Sequence, residues 1–305
     1  MAIKGFLRGM YAELQIRTGF VATFPVLFTT AFIYTYYHEF DLLTFILMYL
    51  ACFCLLIVAN IANGIAGSTK EDNEDTINDH YKGKHGLLNG VTTYKQAYIS
   101  LVIFTLLTII FGLILVIIHK SILFLFIGII SVIAAILYSL SKMAYIVLPI
   151  TEFISGFFCG FLTVISLSLM LLNKVEINII IIGIIYMLYI SSLLFVNNTC
   201  DYYKDLNHRK TFIHVIGQRN AQYFLLFNIM LNMILFIILS LLTGIYVLLI
   251  GVVISMFIFF KVFFIKYIKE DINELNNKGI KIPMYLKFYY GTSLIYTLLI
   301  LLSNI

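Results

Sequence analysis

Long apolar stretches, separated by short polar ones, dominate the chain from end to end. Windows of roughly 20 residues with few or no charges, the length that crosses a hydrocarbon core of about 30 Å, lie at 19–37, 42–66, 97–118, 122–140, 145–172, 177–196, 224–242, 245–264 and 285–305. The pattern predicts an all-α, polytopic membrane protein with about nine transmembrane helices. We expect residues 1–305 to form a single domain.

Composition and charge agree with this architecture. The chain is 62% hydrophobic, against ~45–50% apolar residues in soluble domains. If the N-terminus is inside, nearly all Lys and Arg residues fall in inner segments, and only Lys120 and Lys174 fall outside. Because cytoplasmic loops retain basic residues, we expect a multi-pass protein of the cell membrane with a cytoplasmic N-terminus and an external C-terminus. The net charge of +5 then reflects topology and contact with anionic membrane lipid, and no nucleic-acid partner is expected.

One polar stretch carries the clearest candidate chemistry. Directly after the apolar window at 177–196 the chain reads NNTCDYYKDLNHRKTFIHVIG. On a continuing helix, Asp201 and Asp205 share one face with Asn197, one further turn back. Basic residues follow at Arg209 and Lys210. A carboxylate pair at the mouth of a membrane helix suits a hard divalent ion that holds a diphosphate, while the basic side chains take the remaining charge.

Another acidic cluster follows the window at 42–66. Because it comes earlier in the chain we call it the first motif, and the stretch that begins at Asn197 the second motif. Asn60 and Asn63 are one helical turn apart at the end of this window. The cluster then places Asp72, Asp75 and Asp79 on one face, if the segment is helical, and Lys82 and Lys84 come next. A solvated acidic loop would explain this charge run by itself. The repeated DxxxD spacing on the same side of the membrane instead favours two metal-binding clusters around a central cavity that opens at the cytoplasmic side.

The apolar windows contain three further features of interest. Glu152 lies well inside the window at 145–172 and is expected to face the cavity, because a carboxylate that faces lipid is costly. Gly156 and Gly160 form a GxxxG motif, which predicts close helix packing. Phe and Tyr make up 16% of the chain and could line a pocket for an isoprenoid chain. The four cysteines show no disulfide framework or CxxC metal pattern.

With these residues in place, the chain resembles the UbiA-type intramembrane aromatic prenyltransferases. Within that family it is most similar to the 1,4-dihydroxy-2-naphthoate polyprenyltransferases of menaquinone synthesis. The stretch from Asn197 to Gly217 is similar to their pattern NNxRDxxxDxxxGKxT followed by a glycine, with Cys200 in place of the arginine and Arg209 in place of a glycine. The segments from Arg17 to Val26 and from Tyr138 to Glu152 resemble the R…PV and YxxxP…GE stretches.

The first motif departs from that pattern. The menaquinone branch has NDxxD after NxxN, whereas this chain has Gly64 and Gly67 at the two aspartate positions. A second alignment places residues 71–79 against the broader pattern NDxxDxxxD. We prefer this second alignment, because a cation needs the carboxylates themselves.

The resemblance implies an enzyme that transfers a polyprenyl group from its diphosphate to an aromatic acceptor, with Mg²⁺ as cofactor. The expected acceptor is 1,4-dihydroxy-2-naphthoate, which would give demethylmenaquinone. Another acceptor such as 4-hydroxybenzoate is the alternative, and a cation-binding transporter is the rival from another class. The implied metal ligands and catalytic residues are Asp72, Asp75, Asp79, Asp201 and Asp205. The implied diphosphate-binding residues are Asn63, Asn197, Asn198, Lys82, Lys84, Arg209 and Lys210, with Glu152 on the acceptor side.

Overall fold

The computed structural model describes residues 9–12, 14–71, 86–87, 90–138, 149–205, 210–268 and 278–303. In these residues all regular elements are helical. The α-helices are α1 Phe24–Tyr37, α2 Leu42–Glu71, α3 Tyr94–His119, α4 Ile122–Leu137, α5 Thr151–Gly156, α6 Leu162–Leu172, α7 Ile177–Cys200, α8 Tyr202–Asp205, α9 Phe212–Ile216, α10 Gln218–Thr243, α11 Val247–Ile258 and α12 Lys278–Leu302. A short helix Ile16–Gly19 and a 3₁₀ turn Phe20–Thr23 precede α1, a π turn Phe157–Phe161 joins α5 to α6, and a π-helical segment Phe259–Ile268 follows α11.

Every predicted apolar window contains a helix. Seven helices of the described residues are long and apolar enough to cross a membrane, and shorter apolar helices occupy Ile122–Leu137 and Val247–Lys261. The 16 residues of Ile122–Leu137 extend about 24 Å, which is short of a hydrocarbon core. The all-α, polytopic membrane fold is therefore confirmed, while the count of nine spans stays a prediction.

Helix ends differ from the predicted windows in places that matter for the site. The helix that carries Glu152 begins at Thr151, so this carboxylate lies in a first helical turn and not well inside a span as predicted. A window of apolar residues cannot locate such a helix start, because it reports hydropathy and not backbone hydrogen bonds. Helix α2 likewise continues beyond the apolar window as far as Glu71 and carries Asn60 and Asn63.

The contacts of the chain group it into two compact units. The first comprises residues 1–23 and 46–145, and the second comprises residues 24–45 and 146–305. In the first unit, a buried cluster joins one face of α2 to α3 through Ile57, Ile61, Ile65 and Ala97. The amide Nδ2 of Asn60 donates to Thr18 Oγ1 at 3.1 Å, so this intramembrane amide has a partner.

Helix α7 forms the core of the second unit. It contacts α5, the π turn, α6, α10 and α12. The approach of α5 is close: a Cβ on Gly156 would lie 2.2 Å from Ser191 Oγ, and one on Gly160 would lie 2.5 Å from the carbonyl carbon of Tyr186. The packing predicted from GxxxG is thus confirmed. It brings the start of α5 against the end of α7.

Aromatic side chains fill much of the interior of this second unit. The Phe236 and Tyr296 rings stack at a centroid distance of 3.6 Å. The Tyr285 hydroxyl is buried and donates to the Tyr189 carbonyl at 2.9 Å, as expected for a phenol that lies among apolar groups. These contacts show aromatic packing within α7, α10 and α12, and a pocket for an isoprenoid chain stays a prediction.

Candidate functional site

The second acidic motif lies where α7 ends. The Asp201 amide donates to the Asn197 carbonyl at 3.2 Å, and the Asp205 amide donates to the Asp201 carbonyl at 2.9 Å. These bonds continue the i to i−4 pattern of the helix, so the three side chains follow one another along one side, as predicted. Asp201 is 5% exposed and Asp205 is 6% exposed. Two carboxylates one helical turn apart are therefore held largely away from bulk water.

Side chains from the next helices hold this end of α7 in place. The last carbonyls of a helix have no partner within the helix. Gln218 donates from Nε2 to the Thr199 carbonyl at 2.9 Å. His214 Nε2 donates to the Tyr202 carbonyl at 2.9 Å, and the two rings stack at 4.9 Å. Side chains of α9 and α10 thus satisfy backbone carbonyls within the acidic motif.

Four phenylalanine rings pack around the same helix end. The Phe195 ring of α7 lies 5.1 Å from that of Phe224 and 5.4 Å from that of Phe153, measured between ring centroids. Phe212 of α9 joins this cluster at 5.2 Å from Phe224. This aromatic cluster therefore packs parts of α5, α9 and α10 against the last two turns of α7.

Glu152 is connected to the motif by a hydrogen bond. Its side chain is fully buried, at 0% exposure. Its Oε1 accepts a hydrogen bond of 2.7 Å from Asn198 Nδ2. Asn197 Nδ2 in turn donates to Asn198 Oδ1 at 3.3 Å. The structure thus brings Glu152 together with both asparagines of the motif.

The remaining predicted residues are distributed as follows. Asn63 lies on α2, in the other compact unit, and is half-buried. Lys210 is exposed. Asp72, Asp75, Asp79, Lys82, Lys84 and Arg209 lie outside the described residues. Of the predicted set, the structure therefore brings together Glu152, Asn197, Asn198, Asp201 and Asp205.

No role was predicted from the sequence for His214, Gln218 or Lys281. His214 and Gln218 bond to backbone carbonyls at the end of α7. Thr211 and His214 form a capping box at the start of α9, a signal that the sequence TFIH contains but that lacks the usual Glu or Gln. Lys281 lies near the start of α12 and is 2% exposed. Its burial depends on the fold, so no local pattern could show it.

The donors at the end of α7 fit a magnesium ion. Asp201, Asp205 and the amide of Asn197 offer hard oxygen atoms, and Mg²⁺ commonly takes one or two protein carboxylates with waters and substrate phosphates. No cluster of three or more His, Cys, Asp or Glu side chains occurs within the described part of the chain. Asp201, Asp205 and Asn197 would thus provide one side of such a site.

These observations define the class of protein: a helical membrane protein with an acidic motif at the end of a helix. Residues 22–275 match the model of the UbiA prenyltransferase family. The match covers most of the chain, which therefore belongs to this family and is a prenyltransferase. No curated protein matches the sequence significantly.

Solved structures with a similar fold include three that cover nearly the whole chain. A UbiA homologue from Aeropyrum pernix K1 is 16% identical, with a TM-score of 0.65 over 92% of this chain and 98% of its own. A UbiA homologue from Archaeoglobus fulgidus bound to DMAPP and Mg²⁺ is 14% identical, with a TM-score of 0.60 over 93% and 98%. A digeranylgeranylglyceryl phosphate synthase is 19% identical, with a TM-score of 0.59 over 98% and 97%. These similarities establish the shared fold.

Proposed function

We propose that this prenyltransferase moves a polyprenyl group from polyprenyl diphosphate to an aromatic acceptor in the membrane, in a reaction that requires Mg²⁺. The proposed acceptor is 1,4-dihydroxy-2-naphthoate, and the immediate product is demethylmenaquinol, the hydroquinone form of demethylmenaquinone. The prenyl donor and the metal are supported by membership of the family and by the fold shared with a homologue that holds DMAPP and Mg²⁺. The acceptor is supported by the similarity of the stretch from Asn197 to Gly217 to the menaquinone branch.

One observation carries the proposal most directly: Asn197, Asp201 and Asp205 lie along one side of a continuing helix end, and both carboxylates are buried. We assign Asp201 and Asp205 as magnesium ligands. On sequence grounds we assign Asp72, Asp75 and Asp79 as the ligands from the other motif. When bound, the metal supplies positive charge that stabilises the diphosphate as it leaves.

The protein's own groups would complete the diphosphate site. We assign Asn63 and Asn197 to the orientation of ligands or phosphate oxygens. The basic residues Lys82, Lys84, Arg209 and Lys210 are assigned to the outer charge of the diphosphate. Such charge-assisted bonds are stronger than bonds between neutral groups. With the naphthoate acceptor, the carbon–oxygen bond of the prenyl diphosphate breaks, the new carbon–carbon bond forms on the ring, and the ring carboxylate leaves as CO₂.

The choice of acceptor can be tested with purified protein in lipid nanodiscs. Geranylgeranyl diphosphate is supplied with Mg²⁺ and either 1,4-dihydroxy-2-naphthoate or 4-hydroxybenzoate, and products are identified by mass spectrometry. We expect a prenylated naphthalenediol without the carboxyl group, formed at least about 10-fold faster than any benzoate product, which corresponds to a difference of about 1.4 kcal/mol in the barrier. Faster prenylation of 4-hydroxybenzoate would reject the acceptor assignment while leaving prenyl transfer intact.

A further inference from the structure

We infer that Glu152 is a positioning residue that sets the orientation of two asparagine side-chain amides. As a result, Asn197 presents its side-chain oxygen Oδ1 to the divalent cation. This inference rests on the metal site of the proposed function and deepens it. It assigns Glu152 to the second acidic motif, through Asn198, and gives it no contact with the acceptor.

The first step is the contact between Glu152 and Asn198. Both side chains are buried, at 0% and 2% exposure, and Glu152 Oε1 lies 2.7 Å from Asn198 Nδ2. A carboxylate accepts hydrogen bonds and donates none, whereas an asparagine amide has one donor end and one acceptor end. Glu152 therefore forces Asn198 to turn its NH₂ group towards α5.

The second step concerns the side-chain amide of the neighbouring residue, Asn197, which bonds to Asn198. With its NH₂ group turned towards Glu152, Asn198 presents its oxygen Oδ1 at the opposite end of the amide. Asn197 Nδ2 donates to this oxygen at 3.3 Å. The orientation of the second amide is thus fixed by the first.

The third step concerns the end of Asn197 that remains. Its NH₂ group is engaged by Asn198, so its oxygen Oδ1 is the atom available to a ligand. Asn197 lies one helical turn before Asp201, whose backbone amide donates to the backbone carbonyl of Asn197. An amide oxygen is a hard donor that suits Mg²⁺, while an NH₂ group in the same place would repel a cation and favour a phosphate. Glu152 thereby selects a metal ligand at position 197.

Close packing keeps this arrangement rigid. The start of α5 lies close against α7 because Gly156 has no side chain. A Cβ at this position would clash with Met187 and Ser191. Phe153, the residue after Glu152, packs against Phe195 of α7. The carboxylate therefore cannot easily move away from Asn198, and its hydrogen bond lies in surroundings where an unpaired polar group is costly.

The test measures metal binding and not turnover. Purified protein in nanodiscs is titrated with Mn²⁺ in the presence of geranyl diphosphate, and free Mn²⁺ is followed by electron paramagnetic resonance. Groups that orient metal ligands typically change metal affinity by about 10–100-fold when removed. We expect Glu152→Leu to raise the apparent Kd for Mn²⁺ by about 10-fold or more, whereas Glu152→Gln, which can still accept from Asn198, raises it less than about threefold.

A paired substitution makes the test specific for amide orientation. Asn198→Asp places two carboxyl groups face to face and should weaken Mn²⁺ binding strongly at pH 8. Adding Glu152→Gln reverses the donor and acceptor, because the introduced glutamine can donate to the introduced aspartate, which can still accept from Asn197. We expect this double variant to recover Mn²⁺ binding to within a few-fold of wild type, which a purely structural role of Glu152 would not produce.

The matched control is Ser168→Ala. It removes a buried hydrogen bond of 2.7 Å to the Lys174 carbonyl near the opposite end of the same helical stretch, and Mn²⁺ binding should not change. The inference is overturned if Glu152→Leu binds Mn²⁺ like wild type, if the double variant shows no recovery, or if the wild type binds no Mn²⁺. A wild type that binds Mn²⁺ and geranyl diphosphate but prenylates no naphthoate would reject the proposed acceptor and leave this inference standing.

Discussion

At the scale of single residues, the burial of Asp201 and Asp205 is the feature that needs a physical explanation. They are 5% and 6% exposed and lie one helical turn apart. A solvated acidic loop would leave both carboxylates exposed, so their burial argues against that alternative. A bound divalent ion would stabilise two carboxylates that lie one helical turn apart.

The first prediction removes these carboxylates one at a time. Asp201→Ala and Asp205→Ala should each lower prenyl transfer by about 100-fold or more, because each removes charge stabilisation at the reacting diphosphate. Rates are measured at saturating Mg²⁺, and folding is checked by the unfolding midpoint. The matched control is Asp41→Ala, which removes a carboxylate that accepts from the Thr44 amide at 2.8 Å at the start of α2. Near-native transfer in either site variant would show that the second motif is not a ligand set.

The second prediction decides between the two alignments of the first motif. If the carboxylates at 72, 75 and 79 hold metal, then Asp72→Ala, Asp75→Ala and Asp79→Ala should each weaken turnover strongly at limiting Mg²⁺. The competing alignment places the site at Gly64 and Gly67, so Gly64→Asp should then raise activity. Turnover is measured over a range of Mg²⁺ concentrations. Three aspartate variants close to wild type throughout would defeat the alignment that we prefer.

The sequence was sufficient for some residues of the site and not for others. Spacing alone placed Asn197, Asp201 and Asp205 on one side of a helix, because the helical period is a local property. The partners Glu152 and Gln218 are distant in sequence from the groups they bond. Their hydrogen bonds to Asn198 and Thr199 depend on how α5 and α10 pack against α7, which no local pattern contains.

At the scale of elements, the close contact between α5 and α7 supports the site. Gly160→Ala would put a Cβ 2.5 Å from the backbone of Tyr186, which cannot rotate away. We expect this variant to be destabilised by about 1–3 kcal/mol and to bind Mn²⁺ more weakly, because α5 must move. Gly128→Ala on α4 is the matched control, since nothing lies within 4 Å of its added Cβ. Equal unfolding midpoints for both variants would contradict this packing.

A further element-scale prediction concerns the connection between α6 and α7. Glu176 forms an ion pair with Lys174 and accepts from the Tyr37 hydroxyl at 2.8 Å. These hydrogen bonds, first that of Lys174 and then that of Tyr37, lower the pKa of Glu176. A lowered folded-state pKa means that the contacts stabilise the protein above the ordinary glutamate pKa and are lost as the pH falls through the lowered value.

The consequence can be measured by thermal unfolding at several acidic pH values. Wild type should lose more of its stability over this acidic range than Glu176→Gln, which has no charge to lose. The effect should be small because the pair is exposed to solvent. A larger acid loss in Glu176→Gln than in wild type would contradict the assigned contacts.

The hydrophobic pattern predicted which helices exist better than where they end. A window of apolar residues reports the part of a helix that lipid can cover, so α2, which extends to Glu71, and α12, which begins at Lys278, exceed their windows. The window at 145–172 did not show that a helix starts at Thr151, which places Glu152 in its first turn.

At the scale of the whole molecule, orientation in the membrane is the next testable property. The distribution of Lys and Arg predicts a cytoplasmic N-terminus and both acidic motifs on the cytoplasmic side. In a cysteine-free background, Lys210→Cys should react with a membrane-impermeant maleimide only from the cytoplasmic side. Lys174→Cys should react only from outside. Both side chains are suitable because Lys210 is exposed and the Lys174 side chain is 54% exposed. Labelling of position 210 from outside alone would reverse the topology.

The most direct test of the account is whether the purified chain transfers a prenyl group only when a divalent cation is present. Wild-type protein in nanodiscs is given geranylgeranyl diphosphate and 1,4-dihydroxy-2-naphthoate, and both prenylated product and released diphosphate are quantified with Mg²⁺ or with EDTA. We expect one diphosphate released for each product formed with Mg²⁺, and a loss of both with EDTA that added Mg²⁺ restores. Equal product formation in EDTA, or no prenyl transfer to any aromatic acceptor with Mg²⁺ present, would contradict it.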